Sequence, residues 1–121
     1  MNTRRQYNTL EELGLSFAIF IKIHHPLPDE QTRLTIHDDV FQKDFTLERV
    51  RDKVFVSFAD SNSANSLTEL GTFFTSFIIN RHPLPEDAKR IIIHDDIFNK
   101  NFIIELVNNS PVVSFYRKNQ H

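Results

Sequence analysis

The sequence predicts an α+β fold: an α-β-β-β unit written twice, its two helices laid against an antiparallel sheet of about six strands in one domain with pseudo-twofold symmetry. Three observations predict it. Ile36-His37-Asp38-Asp39-Val40-Phe41-Gln42-Lys43 recurs as Ile93-His94-Asp95-Asp96-Ile97-Phe98-Asn99-Lys100, an offset of 57 residues. The match spreads without a gap until residues 10–58 lie against 67–115, with about half the pairs identical. Within each copy, one stretch carries apolar residues at helical spacing and three short stretches are rich in β-branched and aromatic residues. Repeat one is taken as 9–58, a polar linker as 59–65 and repeat two as 66–116, all inside a single domain of 1–121. Two units of this size are each near the lower limit for an independent core, so a shared core is expected.

Residues 1–8 are polar and basic and have no counterpart in the repeat; they read as a tail or an added edge segment. Thr9-Leu10-Glu11-Glu12 and Ser66-Leu67-Thr68-Glu69 both read as capping boxes, hydroxyl first and Glu three residues on. In copy one, Leu15, Phe17, Ile19, Ile21 and Ile23 alternate as a strand would, but copy two has Thr72, Phe74, Ser76, Ile78 and Asn80 there. The positions apolar in both copies are Leu10/Leu67, Leu13/Leu70, Phe17/Phe74, Phe20/Phe77 and Ile21/Ile78. At 100° per residue they share an arc of roughly 100°, which is one helix face. Helices are therefore expected over 9–24 and 66–81. Gly14 and Gly71 inside them each cost about 1 kcal/mol relative to Ala, which points to close approach of another backbone.

His25-Pro26-Leu27-Pro28 and His82-Pro83-Leu84-Pro85 end both helices, because the residue before Pro is driven out of the helical region. They are read as rigid connectors rather than as ligands for proline-binding domains. Strands follow at Arg33–Phe41, Phe45–Val50 and Val54–Phe58, and again at Arg90–Phe98, Phe102–Val107 and Val112–Tyr116. The turns expected between them are Gln42-Lys43-Asp44 and Arg51-Asp52-Lys53, then Asn99-Lys100-Asn101 and Asn108-Asn109-Ser110.

Composition narrows the function classes. A net charge of −2 and a pI near 6.3 give no global pull towards nucleic acid or an anionic membrane. The absence of Cys removes thiolate chemistry and Cys-type zinc sites. No apolar run approaches the ~20 residues that span a bilayer, and the start of the chain lacks the pattern of a secretory signal. A cytoplasmic protein without a cofactor is expected. Arg4/Arg5 and Arg117/Lys118 are read as solubilising termini.

The sharpest candidate for chemistry is His37 with Asp39 and His94 with Asp96. On a strand, residues two apart point to one side, and the two pairs together offer imidazoles and carboxylates for a divalent metal or for acid–base work. The competing reading is structural, with Asp-Asp ending a strand and its carboxylates accepting from backbone N–H groups; it is preferred, because a structural device would be duplicated along with the unit. His24 and His25 are read as helix-end cations, since copy two offers Arg81 and His82. No Gly-rich phosphate loop or nucleophile motif is present.

The copies differ in their spare apolar residues. Copy one has a second helical stripe, Leu15, Ile19 and Ile23, where copy two is polar; in the strands, Thr35, Thr46 and Arg49 of copy one become Ile92, Ile103 and Leu106. These six residues are the predicted partner surface. The function expected is a non-catalytic binding or interaction protein, most simply a homodimer, whose further protein or small-molecule partner is not specified. The alternative is a small metal-dependent or acid–base enzyme centred on the His-Asp-Asp pairs. Nucleic-acid binding is disfavoured by charge.

Overall fold

The computed structural model describes residues 9–60 and 66–116. The fold is α+β, an α-β-β-β order met twice: α1 (Thr9–His24), β1 (Arg33–Asp38), β2 (Lys43–Val50), β3 (Lys53–Phe58), then α2 (Ser66–Arg81), β4 (Arg90–Asp95), β5 (Lys100–Val107) and β6 (Ser110–Phe115). Both helices occupy the predicted spans. The tail, the termini with Arg4, Arg5, Arg117 and Lys118, most of the linker and the cap side chains of Thr9 and Ser66 lie outside the described residues.

The six strands form two antiparallel sheets of three, ordered β1-β2-β3 and β4-β5-β6, instead of one sheet of six. The physical reason is local. Every ladder joins strands adjacent in sequence through turns of two or four residues, so pairing costs little loop entropy. Joining the sheets would require edge-to-edge pairing, and on the edge strand β6 Pro111 has no N–H to offer. The chain separates into two compact units, Met1–Thr72 and Phe73–His121. The division therefore falls inside α2, whose first turns belong to the first unit.

In the first unit, α1 buries Leu13, Phe17, Ala18 and Ile21. Phe17 meets Phe41 and Phe45 edge-on, at ring-centroid distances of 4.8 and 5.7 Å, and Phe45 stacks on Phe58. The sheet face in this core carries Ile36↔Phe45 and Leu34↔Leu47, with Leu47↔Val56 beyond. The other face is polar, with Arg33 opposite Glu48 and the Thr35 and Thr46 hydroxyls 3.3 Å apart. The second unit repeats the pattern: Phe74 meets Phe98 and Phe102 at 4.5 and 5.6 Å, and Phe102 lies against Phe115. A chain with twelve Phe and no Trp thus places ten of its rings, Phe20 and Phe77 included through Phe41 and Phe98, in two equivalent clusters of side chains without polar atoms.

The first strand of each sheet is shorter than predicted, and the turn after it comes earlier. β1 stops at Asp38 because its Oδ1 accepts from the N–H groups of Val40 and Phe41, at 2.9 and 3.0 Å. Asp95 does the same for Ile97 and Phe98 at 2.9 and 3.1 Å. This local turn competes with the ladder and wins. Each turn closes through a left-handed residue, Gln42 (φ 54°) or Asn99 (φ 56°), so β2 and β5 begin at Lys43 and Lys100 rather than at Phe45 and Phe102. The β5–β6 turn has both central residues, Asn108 and Asn109, at positive φ, a pairing that Asn tolerates and that matches the twist of a two-residue hairpin.

Candidate functional site

Three side-chain groupings merit attention. The first is buried and joins each connector to its hairpin. Pro26 stops α1, and His25, whose N–H still reaches Ile21 O at 2.8 Å, turns its ring so that Nε2–H donates to Asp38 Oδ2 at 2.8 Å. With Oδ1 already accepting two backbone N–H groups, the buried Asp38 carboxylate is satisfied on both oxygens. In the second unit His82 Nε2–H donates to Asp95 Oδ2 at 2.9 Å, and Arg81 Nε–H joins it at 3.0 Å. Burial pushes the Asp95 carboxyl up, but the bonds from His82, the Phe98 N–H and Arg81, with the charge on Arg81, outweigh it and hold the group below the ordinary carboxylate range. Sequence reasoning placed His25 among helix-end cations and passed over this pairing. The available signal was that His25/His82 and Asp38/Asp95 are retained in both copies, while the neighbouring His24 becomes Arg81.

The second grouping contains the predicted chemical residues. Asp39 lies in the turn beyond the end of β1, not in the strand, and its side chain is 91% exposed with Oδ1 3.7 Å from His37 Nε2. Asp96 stands likewise 3.7 Å from His94 at 93% exposure. Each pair is brought together within its own unit. The closer partner of His37 is a residue not predicted for it: Nδ1–H donates to Asp44 Oδ1 at 2.6 Å, beside a polar recess of about 360 Å³. That hydrogen bond raises the His37 pKa; slight desolvation opposes it, and the charges of Asp44, Asp39 and Asp38 add to it. In copy two the same position is Asn101, whose Oδ1 lies 2.7 Å from His94 Nδ1. Among the described residues no group of three His, Cys, Asp or Glu side chains is placed to hold a metal ion. An imidazole open to water can exchange protons with solvent.

The third grouping is apolar. Leu15, Ile19 and Ile23 of α1 are exposed by 50%, 44% and 69%, a row at i, i+4, i+8 facing solvent. Beside it a groove of about 780 Å³ runs between α1 and the β2–β3 hairpin, lined by Leu15, Ala18, Lys22, Phe55 and Leu67 among others. Lys22 Nζ spans it to donate to Val54 O at 3.3 Å. In the second unit Ile92 and Ile103 are direct cross-strand partners on the face turned away from Phe102, with Ile92 49% exposed. Leu106 does not join them. It shares the parity of Phe102 and Ile104 along β5, so it belongs to the opposite face. Leu106 replaces Arg49, which in the first unit donates from Nη2 to Pro28 O at 3.1 Å and fastens the connector to β2. The sequence difference there removes a stitch and leaves Leu106 37% exposed, on the opposite face from the Ile92–Ile103 pair.

Among the described residues no helix is long and apolar enough to cross a membrane. No family model, curated protein or solved structure matches this chain.

Proposed function

We propose that this is a non-catalytic interaction protein that associates with itself through its exposed apolar side chains. The observation that carries the reading is the Leu15-Ile19-Ile23 row, three large side chains on successive turns of one helix and each 44–69% exposed. Burial of apolar surface is worth roughly 25 cal/mol per Å², so removing such a row from water favours association. The fold itself does not require those residues to be apolar: the helix in copy two carries Thr72, Ser76 and Asn80 at the same places. The Ile92–Ile103 pair on the second sheet is a smaller surface of the same kind.

Light scattering behind size exclusion tests this directly. Wild type is expected near twice 14.2 kDa at high micromolar concentration. At least one of Ile19→Ser and Ile103→Thr, each installing the side chain of the other copy, should shift it towards monomer without changing the circular dichroism spectrum. A monomeric wild type rejects self-association, and unfolded variants would assign these residues to the monomer's own core.

A further inference from the structure

We infer that α1 is the seam of the dimer, with two copies of the chain pairing their α1 helices antiparallel so that Glu12 of each faces Lys22 of the other. This rests on the self-association proposed above and adds its geometry. At 100° per residue, Glu12, Leu15, Ile19, Lys22 and Ile23 occupy an arc of about 100° on one side of α1. The apolar members lie in the middle of the helix and the charges at its ends, with Glu11 and Glu12 in the first turn and Lys22 and His24 in the last. A face that is acidic at one end and basic at the other is complementary to itself only when reversed. Parallel pairing would set acid against acid and base against base.

The register follows from the same positions. In an antiparallel pair centred between Leu15 and Ile19, Leu15 meets the partner's Ile19, and Glu12 meets the partner's Lys22. The twofold makes each contact occur twice. Lys22 is available for this: one of its three ammonium N–H groups serves Val54 O, at a long 3.3 Å, and two remain. Glu12 is exposed. The equivalent face of α2, with Thr72, Ser76 and Asn80, has no apolar row to offer, whereas α1 of a second copy offers both the row and the complementary charges. Ile23 flanks the seam, where the aliphatic stem of the partner's Glu11 can cover it.

Sedimentation equilibrium on the full chain, with Glu12→Lys, Lys22→Glu and an equimolar mixture of the two, tests the arrangement. Each single variant turns two attractive pairs repulsive and should weaken dimerisation by about tenfold or more. The mixture should recover near wild-type association, because the heterodimer pairs Glu12 with Lys22 on one side and Lys with Glu on the other. Circular dichroism checks that each variant is folded. If Lys22→Glu proves unfolded, Glu12→Lys alone still decides the matter, since Glu12 is exposed. A wild type that dimerises while folded Glu12→Lys dimerises equally well overturns the α1 seam and leaves self-association standing. A wild type that stays monomeric overturns both.

Discussion

Gly14 faces the Leu67 carbonyl so closely that a Cβ on it would overlap the oxygen and come within 2.8 Å of the carbonyl carbon. The contact is reciprocal, because a Cβ on Gly71 would overlap the carbonyl of Leu10 in the same way. Within the first unit, α1 and the first turns of α2 thus touch backbone to backbone, a spacing at which Cα–H groups and carbonyl oxygens of adjacent helices contact each other.

Gly14→Ala is therefore expected to destabilise the protein, although Ala is by about 1 kcal/mol the better helix former. The obstacle is backbone, which cannot rotate aside, so we expect a net loss of about 1–3 kcal/mol. Urea denaturation showing that Gly14→Ala gains stability would mean the helices do not approach in this way.

Asp95 predicts an acid limb to stability. Its carboxyl is held below the ordinary range in the folded protein, so the unfolded chain takes up a proton first as pH falls. The contribution is complete above the unfolded value, about pH 4, and is lost as pH drops through the folded value below that. Asp95→Asn should cost about 2–4 kcal/mol at neutral pH: the one amide oxygen can serve either the Ile97 and Phe98 N–H groups or His82 and Arg81, and the NH2 in place of the second oxygen accepts from neither. Stability measured between pH 6 and pH 3 should fall less steeply for the variant. Parallel curves would remove Asp95 from the acid transition.

Thr75 predicts a gain. Its hydroxyl oxygen is buried in α2 and has no hydrogen-bond partner, while copy one has Ala18 at the same position. Thr75→Val keeps the branched shape and removes the unpaired group, which should raise stability by about 1 kcal/mol. A loss on chemical denaturation would show that the hydroxyl is solvated or bonded in solution.

Much of this architecture was legible in one sequence because the sequence contains its own comparison. The alternation of Leu15, Phe17, Ile19, Ile21 and Ile23 suggests a strand until Thr72, Ser76 and Asn80 remove three of the five, leaving a helical face of which the structure buries Leu13, Phe17 and Ile21 but leaves Leu10 38% exposed. Spacing of this kind is a local property, set by 3.6 residues per turn, and the helix ends are local too, set by Pro26 and Pro83. Gly14 and Gly71 also announced a close contact, though not its partner.

What only the tertiary structure decided is which groups meet across the chain. His25 and Asp38 are 13 residues apart, and no periodicity joins a connector to a turn; their bond exists because α1 packs on a sheet whose first strand ends beside the helix terminus. The same holds for His37, which lies opposite Asp44 only because a four-residue turn fixes the register of β1 on β2. The sequence by itself determined the elements and their apolar faces, since these follow from side-chain periodicity within one segment. The pairing of polar groups and the split into two sheets depend on register and packing between segments, which no single segment encodes.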